Sequence, residues 1–495
     1  MKIIKKYSGF ITYSAPVIFL LLCTVILARI FFSSHGFISF DSGMYLTAAQ
    51  NLKEGNGLFI TDACKINKVY FAGWPAAYPL AIWITSTVTG FTVFWASKVL
   101  NTGILACIML LYYKLFKSRI IFLIPVFFID SWLLIASYTW SENLFILSLV
   151  LFIYAQRNFH TLPSWKNTLV VLIAALLAFS SRYMGIFILL PIAAAIVHYF
   201  FKRRKIHFVR LLFAFFSTVL FCTCYLLINR YHTGAATGFF RLPTQLFLSG
   251  GEESFRGLVS AAFYAVINEL QLYSSAETSV HSFLAPISVV IFMAISFVYI
   301  RSLVFRQLRE HDGLAHLFII SGIFWWSVVI LLRFFMRFDL PDARLLGPGT
   351  VLLCTGLFYL ISLLLNIKAR AIYGWCIVAF SLSYCAIEIH TAFKLDNERI
   401  NVVLFQLNKD YSILPPGSKV IGSEPQAFFL RTDISHSIPP SGLTFQNAMT
   451  EQVNCAATHI YIRKRRLLND STIVHPSFLP YLSKVKETEG FLRIK

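Results

Sequence analysis

The stretch FDSGMYLTAAQNL, Phe40 to Leu52, places a carboxylate, Asp41, a few residues after the first long apolar run. An acidic side chain where a chain leaves a bilayer loses hydration and is costly to keep charged. Chemistry, metal binding or helix capping can each keep it there. The cap reading is a good one, because Ser42, Gly43 and a periodic run through Tyr45, Ala49 and Leu52 follow. Capping and catalysis are compatible. A second carboxylate, Glu142, stands in YTWSENLF beside another apolar run. Ser141 and Asn143 equally mark a helix start there, where the N-terminal dipole favours an acid. Two carboxylates at one membrane face suit a general base with an orienting partner, or a hard divalent cation held by oxygens. Asp41 and Glu142 are therefore both the candidate catalytic pair and the candidate metal ligands.

Three arginines share that face: Arg182 in SSRYMG, Arg241 in RYHTGAATGFFRLP and Arg344 in FDLPDARLLGP. A single interfacial arginine snorkels toward lipid headgroups. Three of them beside two carboxylates make a phosphate clamp, because the guanidinium fork matches phosphate oxygens. Gly234 and Gly238 let the backbone approach a ligand or shape a loop. His232 and His281 define no metal site with the carboxylates and read as interface or packing residues.

These residues need a membrane scaffold, and composition supplies one. The chain is 57% hydrophobic and 13% charged, with mean hydropathy +0.69, against about 25% charged residues in soluble domains. The net charge of +20 does not indicate nucleic acid, since the basic residues cluster between apolar runs as orientation signals. Most of the nine cysteines, such as Cys107, Cys222 and Cys354, lie inside apolar runs. Cys64 and Cys455 fall in external segments and form the one candidate disulfide.

A span takes roughly 20 apolar residues. The first, Ile11 to Phe32, reads as a retained helix with Lys2, Lys5 and Lys6 on the cytoplasmic side. Trp74 to Gly90, with Pro75 and Pro79, suits a juxtamembrane helix. Further spans fall near 94–116, 120–137, 144–155, 169–180, 185–201, 208–228, 283–305, 317–335, 346–365 and 375–391, about eleven in all. Every second connection is basic: Lys114, Lys117 and Arg119; Arg157 and Lys166; Lys202 to Lys205; Arg306 and Arg309; Lys368 and Arg370. That alternation puts the other connections outside, and Asp41, Glu142 and the arginines with them. The expected architecture is an all-α polytopic membrane domain, residues 1–391, and a small extracytoplasmic α/β domain, residues 392–495. The second contains a helix at Asn397–Leu407, a turn at Pro415–Gly417, and strands at Lys419–Gly422 and Thr458–Lys464. The polar stretch 250–279, with Glu252, Glu253 and Arg256, is a candidate lid.

The motifs in this order resemble the GT-C superfamily of membrane glycosyltransferases, nearest the protein O-mannosyltransferases and the lipid A aminoarabinose transferase. The resemblance runs from Asp41 to Pro348 through FDSGMYLTAAQNLKEGNGL, GWPAAYPL, WSENLF, SRYMGIFILLP, ATGFFR and ARLLGP. It implies a GT-C fold in a bacterial cytoplasmic (inner) membrane, with the N-terminus inside. It also implies that Asp41 is the catalytic base and Glu142 the acidic residue beside it. The donor would be a sugar on a polyprenyl phosphate, and the acceptor a hydroxyl of a lipid, polysaccharide or protein. Arg182, Tyr183, Arg241, Arg344, Tyr45, Trp74 and Tyr78 are then the candidate donor-phosphate and substrate-binding set. The resemblance implies no certain cofactor, a divalent metal ion at Asp41 and Glu142 being the candidate. Asp41 is followed by Ser42 where the mannosyltransferases carry a second acid, and Trp74 precedes a single proline where the aminoarabinose transferase has a basic residue and two. A transporter or flippase of lipid-linked sugars, or an O-antigen ligase or polymerase, is the competing reading. The transporter should carry its charges at mid-span, and the ligase needs no carboxylate in a first-loop helix.

Overall fold

The computed structural model describes residues 2–32, 36–61, 68–238, 255–270, 313–336, 342–365 and 367–412, with short pieces of the tail. Arg241, Cys64, Cys455 and the expected span 283–305 lie outside them, as do the ends of the stretch 250–279. The core of that stretch is a helix, Phe255–Leu270.

Helices dominate because the apolar runs are long and rich in Leu, Ile and Phe. In order they are α1 (Lys2–Phe32), α2 (Phe40–Lys53), α3 (Ala77–Thr89), α4 (Val93–Phe116), α5 (Asp130–Ser137), α6 (Glu142–Thr161), α7 (Trp165–Ser181), α8 (Leu189–Phe201), α9 (Lys205–Thr233), α10 (Phe255–Leu270), α11 (Gly313–Phe335), α12 (Ala343–Leu364) and α13 (Ile367–Ser412). Six helical runs among the described residues are long and apolar enough to cross a bilayer, and seven if the pair α5 and α6, bent by 118°, counts as one. The expected span 120–137 is not a single helix. Lys117 takes a left-handed φ of 51°, a 3₁₀ stretch Lys117–Phe128 with Pro125 inside it follows, and α5 restarts at Asp130.

The bend between α5 and α6 positions a carboxylate: Tyr138, Thr139, Trp140 and Ser141 turn the chain at the end where Glu142 begins α6. Buried α12 runs against α5, α6 and α11. Its first turn is clamped by two indoles of α11: Trp325 Nε1 donates to Leu345 O and Trp326 Nε1 to Leu346 O, each at 3.1 Å.

The segment after α1 folds as α2, a two-stranded antiparallel ribbon β1 (Phe59–Thr61) and β2 (Lys68–Tyr70), and then α3, where a juxtamembrane helix is expected. At the other end, α13 passes residue 392 without a break, so the expected helix 397–407 is its final portion. Five short strands follow: β3 (Lys419–Gly422), β4 (Ser435–Ser437), β5 (His459–Tyr461), β6 (Leu482–Ser483) and β7 (Phe491–Ile494). They form one mixed sheet in the order β4-β3-β5-β7-β6, and both expected strands belong to it.

Candidate active site

Asp41 is not the cap of its helix. Ser39 is the cap, its Oγ accepting the Ser42 N–H at 3.3 Å. Asp41 sits in the first turn of α2 with its carboxylate released from local backbone. It meets Arg344, whose Nη2 donates to Asp41 Oδ2. The same guanidinium donates from Nε to Glu142 Oε1, and Arg182 Nη1 donates to that oxygen as well. Four side chains from four separate parts of the sequence therefore form one chain of ion pairs: Asp41, Arg344, Glu142, Arg182.

Each member is aimed by its own element. Glu142 opens α6, where exposed backbone N–H groups favour a carboxylate. Arg344 lies in the first turn of α12, capped by Asp342, whose Oδ1 accepts the Leu345 N–H at 3.0 Å. Arg182 follows the last residue of α7 in extended backbone. The turn after it closes only because residue 185 is glycine, since a Cβ there would overlap the Ala178 carbonyl. Trp140 completes the arrangement: Arg344 Cζ lies 4.9 Å from its ring centroid, Tyr138 stacks on it at 4.1 Å, and its Nε1 donates to Ser39 Oγ at 2.7 Å. The residue that caps α2 is thus tied to the platform under Arg344.

The cluster is largely dry. Glu142 is 1% exposed, and the side chains of Asp41, Arg182 and Arg344 are 14–16% exposed. Charges buried to this degree are stable only when paired, and two carboxylates against two guanidiniums leave no net charge. Glu142 Oε2 is buried without a hydrogen-bond partner among the described residues.

The aromatic candidates occupy a different layer. Tyr45 and Tyr78 are fully buried. The Tyr45 hydroxyl pairs with Ser141 Oγ at 2.9 Å, and Tyr78 donates to Asn101 Oδ1 at 2.8 Å. Trp74 meets Tyr45 edge-on with ring centroids 6.1 Å apart. Burial, and then the Glu142 and Asp41 carboxylates, push the Tyr45 phenol above its ordinary pKa, so it stays a neutral hydrogen-bonding group. Tyr45 and Tyr78 thus pack the site from behind, with their hydroxyls committed to protein partners.

Tyr183 joins three segments: its hydroxyl donates to Ala72 O at 2.6 Å and accepts from Asn229 Nδ2 at 2.8 Å, while Asn229 also donates to Ala236 O at 3.1 Å. Gly238, at φ +81°, lies so close to residues 72 and 73 that a Cβ would stand 2.5 Å from the Ala72 carbonyl carbon. The GWPAAYP loop, the RYMG turn and the TG turn before Arg241 are therefore docked on one another.

Arg344 touches both carboxylates, Asp41 through Nη2 and Glu142 through Nε, so a divalent ion shared by them would have to displace that guanidinium. The described residues also gather no group of three or more His, Cys, Asp or Glu.

No family profile and no curated protein matches the sequence. The fold does find relatives. ArnT from Cupriavidus metallidurans, the lipid A aminoarabinose transferase, aligns over 97% of this chain and 98% of its own in the apo state, with TM-score 0.54 and 11% identity. The same protein bound to undecaprenyl phosphate aligns over 98% of both chains, with TM-score 0.55 and 11% identity. This chain has the GT-C fold. Within that GT-C scaffold, Asp41, Glu142, Arg182 and Arg344 are in direct contact, Tyr45 packs against Trp74 and Tyr78, and Tyr183, next to Arg182 in sequence, joins the Ala72 and Asn229 segments.

Sequence reasoning missed Trp140, Asn229 and Lys98. Lys98 is 1% exposed in α4 and donates to Ser137 O at 2.7 Å and Phe37 O at 3.2 Å, tying the entry of α2 to the end of α5. A lone lysine inside an apolar span was the available signal.

Proposed function

We propose that this GT-C protein is an inverting glycosyltransferase. It moves a sugar from a polyprenyl-phosphate donor to an acceptor hydroxyl at the outer face of a bacterial cytoplasmic membrane. One observation carries the reading: Asp41, Arg344, Glu142 and Arg182, at the ends of four different helices, form one chain of ion pairs. A small apolar cavity lined by Phe145, Leu149 and Phe152 on α6, Gly185 and Ile188 after Arg182, and Trp325 on α11 lies among the same elements.

The chemistry follows from the free edges of the cluster. A guanidinium has five N–H donors. Arg344 directs two of them to carboxylates and has others to offer to phosphate oxygens. Asp41 uses Oδ2 for Arg344, and its Oδ1 accepts nothing from the described residues. That oxygen takes the proton of the acceptor hydroxyl while the acceptor oxygen attacks the anomeric carbon. The bond from that carbon to the phosphate oxygen breaks, and the lipid phosphate leaves with the electron pair on the opposite side, inverting the centre. A phosphate is already a good leaving group, so the site needs positive charge more than a general acid. Arg344, with Arg241 by its motif, supplies it, and Arg182 holds Glu142 in place. With Arg344 between the carboxylates the step needs no metal bridge, and a chelator should leave the rate unchanged.

The test is transfer from a mixed pool of radiolabelled polyprenyl-phosphate sugars by purified protein in lipid, with native membrane extract as acceptor. Label should enter the extract. Failure with every donor, together with movement of labelled lipid across the vesicle bilayer, would favour a transporter instead.

A further inference from the structure

A strongly basic part of the described structure outside the active site lies at the other end of the same helices. Glu142 and His160 are 18 residues apart on α6, about 27 Å at 1.5 Å per residue. Around His160 the end of α6, the start of α7, the end of α8 and the start of α9 come together.

Tyr199 is the centre of this group. It is 3% exposed, and its hydroxyl meets His160 Nδ1 at 2.5 Å. The rings of His160 and His198 each lie 5.4 Å from the Tyr199 ring, and that of His207 lies 4.6 Å from it. When Tyr199 donates to Nδ1, the hydrogen of the neutral imidazole sits on Nε2 and points away from tyrosine. His207 Nε2 is buried and has no hydrogen-bond partner among the described residues. Arg204 is close enough to act electrostatically on His160, Tyr199 and His207 alike.

The cationic character has no local counterweight. Arg157, Lys166, Lys202, Arg203, Arg204, Lys205 and Arg210 belong to these helix ends, whereas the sequence has no Asp or Glu from Asn143 to Gly251. Arg203 takes a left-handed φ of 51° in the α8–α9 turn, a position that favours glycine. Large apolar side chains surround the cations: Phe200 is 62% exposed, Phe201 76%, Ile206 61% and Trp165 52%. Helix orientation in a membrane explains basic loops. It does not call for three imidazoles around a buried tyrosine.

We propose that these helix ends form a binding site for the phosphate headgroup of an anionic membrane lipid, held by Arg204, His160 and His207. The surrounding aromatic and aliphatic side chains would lie among its acyl chains. The ring of exposed apolar groups selects a lipid over a soluble phosphate. The proposal is independent of the glycosyltransferase reading.

Thermal melting of the full chain in detergent, with added short-chain phosphatidylglycerol, phosphatidylcholine or inorganic phosphate, tests it. Phosphatidylglycerol should raise the wild-type midpoint, and the other two should not. The double variant Arg204→Gln/His207→Gln should need about tenfold more phosphatidylglycerol for half the effect, as expected for losing charge-assisted hydrogen bonds. Lys202→Gln/Lys205→Gln, which removes two positive charges where the first pair removes one and an imidazole, should behave as wild type. If the first pair does not fold, Arg204→Lys, which keeps the charge and loses the fork, should still weaken the response. An equal response to phosphatidylcholine or to inorganic phosphate would overturn the proposal. So would a double variant that responds as wild type, or a lysine pair that loses the response as fully.

Discussion

Arg344, in the first turn of α12, binds Asp41, in the first turn of α2, across 303 positions of sequence. Its other edge holds Glu142 at the start of α6. One guanidinium thus sets the distance between the proposed base and the second carboxylate. Removing it leaves Glu142, 1% exposed, with Arg182 as its remaining cation among the described residues. Arg344→Ala should cost about 3 kcal/mol of stability, in the range for breaking a buried pair. It should also weaken binding of the polyprenyl-phosphate donor more than that of the acceptor. Arg344→Lys should recover stability in part and donor binding little, since an ammonium cannot span both carboxylates. Melting curves and donor titrations check both, and unchanged donor affinity in Arg344→Ala would remove it from the phosphate site.

Tyr45 offers a contrast, because its hydroxyl is buried and pairs with Ser141 Oγ. Tyr45→Phe should lower stability by about 1 kcal/mol, the net value of one buried hydrogen bond, and reduce transfer only several-fold. A loss of several orders of magnitude at intact stability would mean that the phenol touches substrate.

Gly238 tests the docking of the GWPAAYP loop. A methyl group there meets the backbone of residues 72 and 73 at a positive φ. Gly238→Ala should therefore destabilise by about 1–3 kcal/mol and lower transfer through the Trp74 loop and the segment that carries Arg241. Gly234 has a similar φ but open space around its missing Cβ, so Gly234→Ala should cost less. Equal effects at the two positions would refute a role for the close approach.

Glu269 on α10 predicts a pH dependence. It is 5% exposed, and Thr350 on α12 donates to its Oε2 at 2.6 Å. Burial pushes its carboxyl up from 4.5 to about 8. The docked helix therefore holds a proton that the undocked one releases. Docking is full below about pH 4.5, weakens by about tenfold for each pH unit above it, and loses the whole contribution once pH passes about 8. Limited proteolysis of α10 should quicken relative to an unrelated control site as pH rises from 5 to 9. Glu269→Gln should remove that change.

Much of the site was legible in the sequence because membrane sidedness is written in charge. The alternation of basic connections put Asp41, Glu142, Arg182 and Arg344 on one face before any contact was known, and the structure joins these four. The choice of cap for α2 rests on a tertiary contact. Ser39 and Asp41 are both good caps, and the choice depended on Trp140, 101 positions away, whose indole fixes the Ser39 hydroxyl. Tyr45 falls in an external connection and Tyr78 in a juxtamembrane helix by sequence, yet tertiary packing buries both completely. The span expected at 120–137 failed because apolar content does not distinguish an α-helix from a 3₁₀ run restarted at Asp130. Trp140 carried no motif of its own, and only the position of Arg344 above its ring shows its use.

The central claim is that the Asp41 carboxylate removes the acceptor proton. The most direct measurement compares wild type and Asp41→Asn in the labelled-donor assay, since asparagine keeps an oxygen for Arg344 and removes the basicity. The account predicts that the variant melts close to wild type and transfers about a thousandfold more slowly, within the usual range for a lost general base. Transfer at the wild-type rate by a folded Asp41→Asn protein would contradict it.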